Sequence, residues 1–324
     1  FVSYLNQSSI LITGGTGSFG RAFTRYALSH LDPRRVVIFS RDELKQYEMR
    51  ADFDDDRRLR WFLGDVRDLD RLRRAMHGVD YVVHAAALKQ VDTAEYNPME
   101  FIRTNVLGSQ NVIEASMDSG VRKVVALSTD KASSPINLYG ATKLTADKLF
   151  VAANSYGATY GTKLSVVRYG NVMGSRGSVI PYFRSLHEQG LPMTVTDKRM
   201  TRFWITLDRA VQFVVDSFDM MAGGELYVPR IPSMRITDLV EAVAPGSPIV
   251  EIGIRSGEKL HEEMIAADDS RRTVRLTDRY VVTPMHAEWG FPGVEGESLP
   301  EGFAYRSDTN DLWLSIDDLR NLLA

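Results

Sequence analysis

Ser128-Thr129-Asp130-Lys131, followed by Tyr139 and, four residues on, Lys143, concentrates more chemistry than any other stretch of this chain. Four residues is about one helical turn, so Tyr139 and Lys143 share a helix face and set a phenol beside an ammonium. The cation would lower the phenol's pKa and could also hold a ribose hydroxyl. A tyrosinate there can take the proton of an alcohol while hydride leaves the same carbon for a nicotinamide. Asp130 and Lys131 add a proton donor and a proton acceptor. A new ketone acidifies the proton on the adjacent carbon, which Lys131 could remove if desolvation and a neighbouring positive charge (Lys143 or the oxidised nicotinamide) keep it neutral. Asp130, if protonated, could donate to a departing hydroxyl, and Thr129 could hydrogen-bond a substrate hydroxyl or carbonyl. Either pair alone is weak, because Tyr-x-x-x-Lys occurs on ordinary surface helices and Asp-Lys often caps one. Together, at the end of one strand, they describe a nicotinamide enzyme that does more than oxidise.

Such side chains need a scaffold. Short, nearly continuous apolar runs at 9–13, 35–40, 59–63, 80–84, 123–128 and 164–169 read as strands buried on both faces. Amphipathic stretches at 19–31, 68–76 and 105–119 alternate with them. The alternation predicts an α/β fold, a Rossmann-like doubly wound parallel sheet, with ligands at the carboxyl ends of its strands. After Gly174 the pattern changes: prolines break the chain into short elements around one clear helix at 207–221. We therefore expect a dinucleotide-binding domain over 1–174 and about 200–228. A smaller mixed α/β substrate lobe would take about 175–199 and 229–324. The stretch 289–302, rich in Gly and Pro, reads as irregular, and Ser315 with Asp318 should cap a last short helix.

The first strand, Ile10-Leu11-Ile12-Thr13, runs into Gly14-Gly15-Thr16-Gly17-Ser18-Phe19-Gly20. Glycines at 14, 17 and 20 allow a tight turn, close approach of backbone N–H groups to a pyrophosphate, and seating of the next helix on the sheet. Thr16, Ser18 and Phe19 belong to the same cofactor loop. The second strand ends in Ser40-Arg41-Asp42, where an NAD-selective site would present an acid to the ribose. Ser40 and Arg41 suit a 2′-phosphate better, and Asp42 is displaced by two positions, so the cofactor expected is NADP. Asp65-Val66 would border the adenine, and Ala85-Ala86-Ala87 the ribose on the nicotinamide side. His84 reads as a packed strand residue.

The remaining composition narrows the field. At 324 residues with a net charge of -3, the chain has no bulk attraction for nucleic acid or anionic membrane. The arginine clusters near 57–60 and 71–74 alternate with acids and lack interleaved aromatics, so no nucleic acid is expected. No cysteine is present, which excludes thiol chemistry, and His261-Glu262-Glu263 lacks the second histidine of a zinc helix; no metal is expected. No apolar run reaches the length of a membrane span and no signal peptide is visible, so a cytoplasmic location is expected.

The combination of Gly14, Gly17 and Gly20, Asp65-Val66, Tyr139 with Lys143, and Arg168-Tyr169-Gly170-Asn171 resembles the extended short-chain dehydrogenase/reductase superfamily. Ser128 to Ala132, Pro135 to Lys143 and Met200-Thr201-Arg202-Phe203-Trp204-Ile205 resemble more narrowly its configuration-inverting UDP-N-acetylglucosamine 4,6-dehydratases. The similarity runs nearly end to end, including Ser40 to Gln46 and Gly257 to Glu262. It departs at Asp92, where the family more often carries Pro, and at Arg306, where a small residue is usual; neither touches the chemical groups. The resemblance implies oxidation at C4, elimination of water across C5 and C6, return of hydride to C6 and inversion at C5. It implies a place at the head of pseudaminic acid synthesis, used in glycosylating flagella and surface polysaccharides, and assembly as a homo-oligomer (dimer or hexamer) through helices of the dinucleotide domain. A lobe holding a diphosphate and uracil would use Lys89, Asn171, Arg176, Arg199, Arg202, Arg255 and Glu258, guanidinium forks suiting phosphate oxygens. The nearest rivals are a UDP-sugar 4-epimerase, which has no use for Asp130-Lys131, and a retaining dehydratase, which would more naturally carry an acidic pair there. A non-catalytic NADP-binding sensor is the remote alternative.

Overall fold

The computed structural model describes residues 3–173 and 179–323. Six parallel strands, β1 (Ser9–Thr13), β2 (Arg35–Ser40), β3 (Leu59–Leu63), β4 (Tyr81–His84), β5 (Lys123–Thr129) and β6 (Lys163–Tyr169), lie in the spatial order β3-β2-β1-β4-β5-β6. The order reverses between β1 and β4, and that switch point opens the crevice in which α/β sheets bind ligands. Every residue of β1 and β4 is buried, which is why their sequences run apolar without alternation. At the edge, β3 buries only Leu59 and leaves Arg60 exposed.

Beyond β6 the sheet continues through the parallel strand Leu226–Pro229. Antiparallel strands Arg279–Val282, Thr273–Arg275 and Glu297–Ser298 follow in turn. Three strands from the stretch expected in the lobe thus extend the main sheet, and the last falls within the stretch read as irregular. Tyr280, Val281 and Val282 join the large core built on β1 to β6. A second core, around Met193, Met234, Leu239 and Leu319, gathers the lobe and also takes Trp204 from the stretch expected in the dinucleotide-binding domain.

Helices start where side chains can satisfy their free amides. Asp42 accepts from Lys45 N at 3.0 Å, Asp68 from Arg71 N at 2.9 Å and Asn137 from Gly140 N at 2.8 Å. The first helix, Ser18–Tyr26, runs on into a wider π turn, Ala27–Leu31, and another π turn, Ile102–Leu107, precedes the helix Gly108–Asp118. Ser315 and Asp318 form the expected reciprocal cap, Ser315 N donating to Asp318 at 2.9 Å and Asp318 N to Ser315 Oγ at 3.1 Å. Among the described residues no helix is long and apolar enough to cross a membrane.

Candidate active site

The glycine loop is built to receive an anion. Gly14 has φ +65°, and a Cβ there would stand 2.9 Å from Ala86 Cα, so the loop rides directly on the Ala85-Ala86 backbone. Thr13 Oγ1 accepts from the N–H groups of Ala85 and Ala86, both at 3.2 Å, fixing the two chain segments together. Gly17 precedes the helix Ser18–Tyr26 without a side-chain cap, and no acid lies in its first turn. Its amides are therefore left for a ligand, and the cradle fits a dinucleotide pyrophosphate. Phe19 packs 6.0 Å from Phe23 between ring centroids. Thr16 Oγ1 and the buried Ser40 Oγ lie 2.8 Å apart, tying the loop to the end of β2.

Arg41 is about half exposed, its guanidinium 3.6 Å from Asp65. Burial works against the Asp65 carboxylate, but Arg67 and then Arg41 outweigh it and hold its pKa below the ordinary value. Asp42 is engaged with its own helix, accepting from Lys45 N and pairing with Lys45 Nζ at 2.6 Å. Val66 is buried against Gly108, and Ala87 is exposed on the loop beyond β4. His84 is a packed strand residue: Nδ1 meets Thr13 Oγ1 at 2.7 Å and Nε2 meets Ser109 Oγ at 3.1 Å. Burial, followed by the Lys143 charge, depresses its pKa to about 3.

Two elements meet at the chemical centre. Strand β5 delivers Thr129 into a single 3-10 turn, Asp130–Ala132, and the helix Leu138–Ala152 carries Tyr139 and Lys143 past it. A Cβ on Gly140 would stand 2.2 Å from the Lys131 carbonyl oxygen, so only glycine lets that helix seat against the turn. Thr129 Oγ1 donates to Asp130 Oδ1 at 2.8 Å, and Lys131 Nζ donates to the same oxygen at 3.1 Å. Asp130 is 1% exposed, and among the described residues its Oδ2 has no hydrogen-bond partner.

Two electrostatic expectations are corrected. Burial does disfavour the Lys131 ammonium, but the Asp130 and Glu262 carboxylates overcome it and raise the pKa well above the ordinary value. The neighbouring cation that opposes them is Arg202, not Lys143. Nor is the phenol's pKa lowered. Burial pushes Tyr139 up to about 12, with Lys131 and a hydrogen bond shared with Thr129 pulling the other way. Lys143 Nζ donates instead to the Leu127 carbonyl at 2.7 Å, and burial lowers its pKa.

The other polar candidates are scattered in role. Lys89 lies near Lys131, which together with the larger effect of burial lowers its pKa. Arg202 donates to the backbone carbonyls of Thr201 at 2.7 Å, Leu260 at 3.0 Å and Lys259 at 3.1 Å, and its Nε sits 3.6 Å from Glu262. Arg199 pairs with Asp197 at 2.6 Å, with 73% of its side chain exposed. Arg255 is exposed, and its backbone N–H donates to Glu258 at 3.4 Å, making that carboxylate part of a loop turn. Asn171 lies on a two-residue strand paired with Trp204. Arg176 lies outside the described residues.

Sequence reasoning missed Glu262 and Glu263 as site residues. Glu262 Oε1 is 3.4 Å from Lys131 Nζ, and Glu263 Oε1 accepts from Ser133 at 2.9 Å and Ser134 at 2.6 Å. The signal in the chain was two adjacent acids near Lys259, at the end of a stretch that carries the family resemblance, and nothing local says which distant turn they face.

Residues 10–284 match the family described as polysaccharide biosynthesis protein. The UDP-N-acetylglucosamine 4,6-dehydratase (inverting) of Campylobacter jejuni is 51% identical over 327 residues, covering 98% of each chain. A UDP-glucose 4-epimerase of Rickettsia canadensis is 40% identical, covering 98% of this chain and 95% of its own. Among solved structures, Pen from Bacillus thuringiensis superposes with a TM-score of 0.90 at 37% identity, covering 99% of this chain and 98% of Pen. DesIV, a dTDP-glucose 4,6-dehydratase from Streptomyces venezuelae solved with NAD, superposes with a TM-score of 0.69 at 27% identity, covering 78% and 86%.

Proposed function

The chain belongs to the polysaccharide biosynthesis protein family, and from that footing we propose that it is an inverting UDP-N-acetylglucosamine 4,6-dehydratase. The observation that carries the reading is the meeting of Asp130 and Lys131 with Tyr139 against one turn. A bound nicotinamide supplies the hydride acceptor for C4 and the donor for C6. The chain's own residues move the protons. Tyr139 takes the proton of the 4-hydroxyl, and Lys143 holds a ribose hydroxyl. Lys131 takes the C5 proton that the 4-ketone acidifies, while Asp130 protonates the departing C6 hydroxyl, so one water leaves. Before the step the pair needs a neutral amine and a carboxylic acid; after it, an ammonium and a carboxylate. Those two states hold the same number of protons and differ only in where one sits, so moving it across the 3.1 Å contact from Nζ to Oδ1 prepares both groups at once.

Ser40 and Arg41 support NADP as the form used, with Arg41 on the 2′-phosphate. The pyrophosphate would rest on the amides that open the helix after Gly17, with Gly14, Thr16, Ser18, Phe19 and Gly20 forming the loop. Asp65 and Val66 would border the adenine, and Ala85, Ala86 and Ala87 the other ribose. Thr129, Lys89, Asn171, Arg176, Arg199, Arg202, Arg255 and Glu258 are assigned to the nucleotide sugar; the Arg202 guanidinium also donates to backbone carbonyls of Leu260 and Lys259. We place the reaction in the cytoplasm, in a homo-oligomer, with surface-glycan synthesis of the pseudaminic acid type as its destination.

Incubation with UDP-N-acetylglucosamine in heavy water, read by NMR of the product, tests the reading. We expect a 4-keto-6-deoxy sugar with deuterium at C5 and the inverted configuration. A 4-epimer with its 6-hydroxyl intact would instead select the activity named for the Rickettsia relative, and retained C5 configuration would select a retaining dehydratase.

A further inference from the structure

The acid-base pair sits in the dinucleotide domain, but a segment of the lobe grips the turn that carries it. Lys259 Nζ donates to the Ser133 carbonyl at 2.6 Å, and Glu263 takes the Ser133 and Ser134 hydroxyls. Arg168 reaches the Met264 carbonyl at 2.9 Å. Between these fastenings stands Glu262, 2% exposed, its backbone N–H held by Ser307 Oγ at 2.9 Å. Its Oε1 is 3.4 Å from Lys131 Nζ, and among the described residues its Oε2 has no hydrogen-bond partner. A carboxylate this deep is costly unless a cation faces it, and the cations near it are Lys131, Arg202 and Lys259.

We propose that Glu262 is the positioning residue of Lys131: it aims the amine and stabilises the ammonium that forms when Lys131 takes the C5 proton. The proposal rests on the dehydratase reading. It gives the lysine what the carboxylate of a hydrolytic triad gives its histidine, orientation and a countercharge for the proton it gains. Atoms balance within the step: the C5–H bond breaks, its proton joins Nζ, and Glu262 keeps its charge throughout. The groups facing Lys131 are Asp130 from its own turn, Tyr139 from the adjacent helix, Lys89 from the loop after β4, Arg202, and Glu262 with Lys259. Replacing Glu262 alone removes one carboxylate and leaves the three other cations in place, so the proton affinity of Lys131 must fall.

Two readouts on the NADP-loaded enzyme test this. Lys131 is assigned by loss of its signal in Lys131→Ala, and its side chain is titrated by NMR in wild type, Glu262→Gln and Glu262→Asp. The pH profile of C5 proton exchange is measured on the same proteins with UDP-N-acetylglucosamine. Glu262→Gln should lower the Lys131 midpoint and the exchange limb together by about one pH unit or more, a tenfold loss of proton affinity. Glu262→Asp should recover part of the shift, and it serves alone if the Gln variant does not fold. Glu263→Gln, which loosens the same turn without facing Lys131, should leave both midpoints where they are. Equal midpoints in wild type and the Glu262 variants, or an equal shift in Glu263→Gln, would overturn the proposal. If wild type eliminates no water while Glu262 still sets the lysine midpoint, the dehydratase reading fails and the charge pairing stands.

Discussion

In the proposed reaction Lys131 and Tyr139 divide the proton transfers between them, and substitution should separate those roles. Lys131→Ala should cut C5 exchange by about 100-fold or more while leaving NADP bound; exchange at the wild-type rate would remove the lysine from the mechanism. Tyr139→Phe should prevent the reduced nicotinamide absorbance from appearing at all. Arg41→Ala should weaken NADP by about tenfold or more and NAD little, as isothermal titration would measure; equal weakening would refute the 2′-phosphate assignment. His84 carries a prediction about stability. Its folded pKa of about 3 lies below the unfolded value, so its contribution is complete above about pH 6.5. As pH falls below that, the unfolded chain binds a proton the folded chain refuses, and stability drops by up to about 1.4 kcal/mol per pH unit until about pH 3. Urea midpoints should follow that slope in wild type and flatten in His84→Asn.

At the level of elements, the helix Leu138–Ala152 and the turn Asp130–Ala132 form the working joint. Gly140→Ala forces a methyl into the space of the Lys131 carbonyl, and we expect a cost of about 1–3 kcal/mol. Turnover should fall further than stability accounts for, because a shift of about 1 Å between acid-base groups can cost about 100-fold; a melting curve beside a rate measurement checks both. The sequence made this joint half legible. Strands β1 and β2 could be bounded because both their faces are buried, leaving an unbroken apolar run. Helical period put Tyr139 and Lys143 on one face, and the Asp130-Lys131 pair beside them gave that face its chemical reading. Gly140 looked like any helical glycine, since its reason lies in a carbonyl nine residues back. The π turns at Ala27–Leu31 and Ile102–Leu107 were invisible, because an extra residue per turn is imposed by packing and leaves no composition of its own. Glu262 was beyond reach for a similar reason: its meaning is set by a partner 131 positions away.

For the whole molecule, the exposed apolar side chains decide what to expect of assembly. Tyr96 at 87%, Met99 at 53% and Leu107 at 51% exposure lie on the helical run 91–118 of the dinucleotide domain. Buried in a homo-oligomer, they would cease to be a liability. Tyr96→Glu with Leu107→Glu should shift the mass seen by light scattering to that of one chain; an unchanged mass would place the contact elsewhere. The lobe was also only partly foreseeable, since Thr273–Arg275 and Arg279–Val282 are short runs whose adoption by the main sheet depends on the strand Leu226–Pro229 offering its edge. The lobe's grip on the Asp130 turn has a bearing on synthesis. A ribosome releases the glycine loop, the phenol and the acid-base pair well before residues 259–264, so the countercharge for the base is made after the base itself. Competence to expel water would be the last property acquired, and a prematurely terminated product would be left without it.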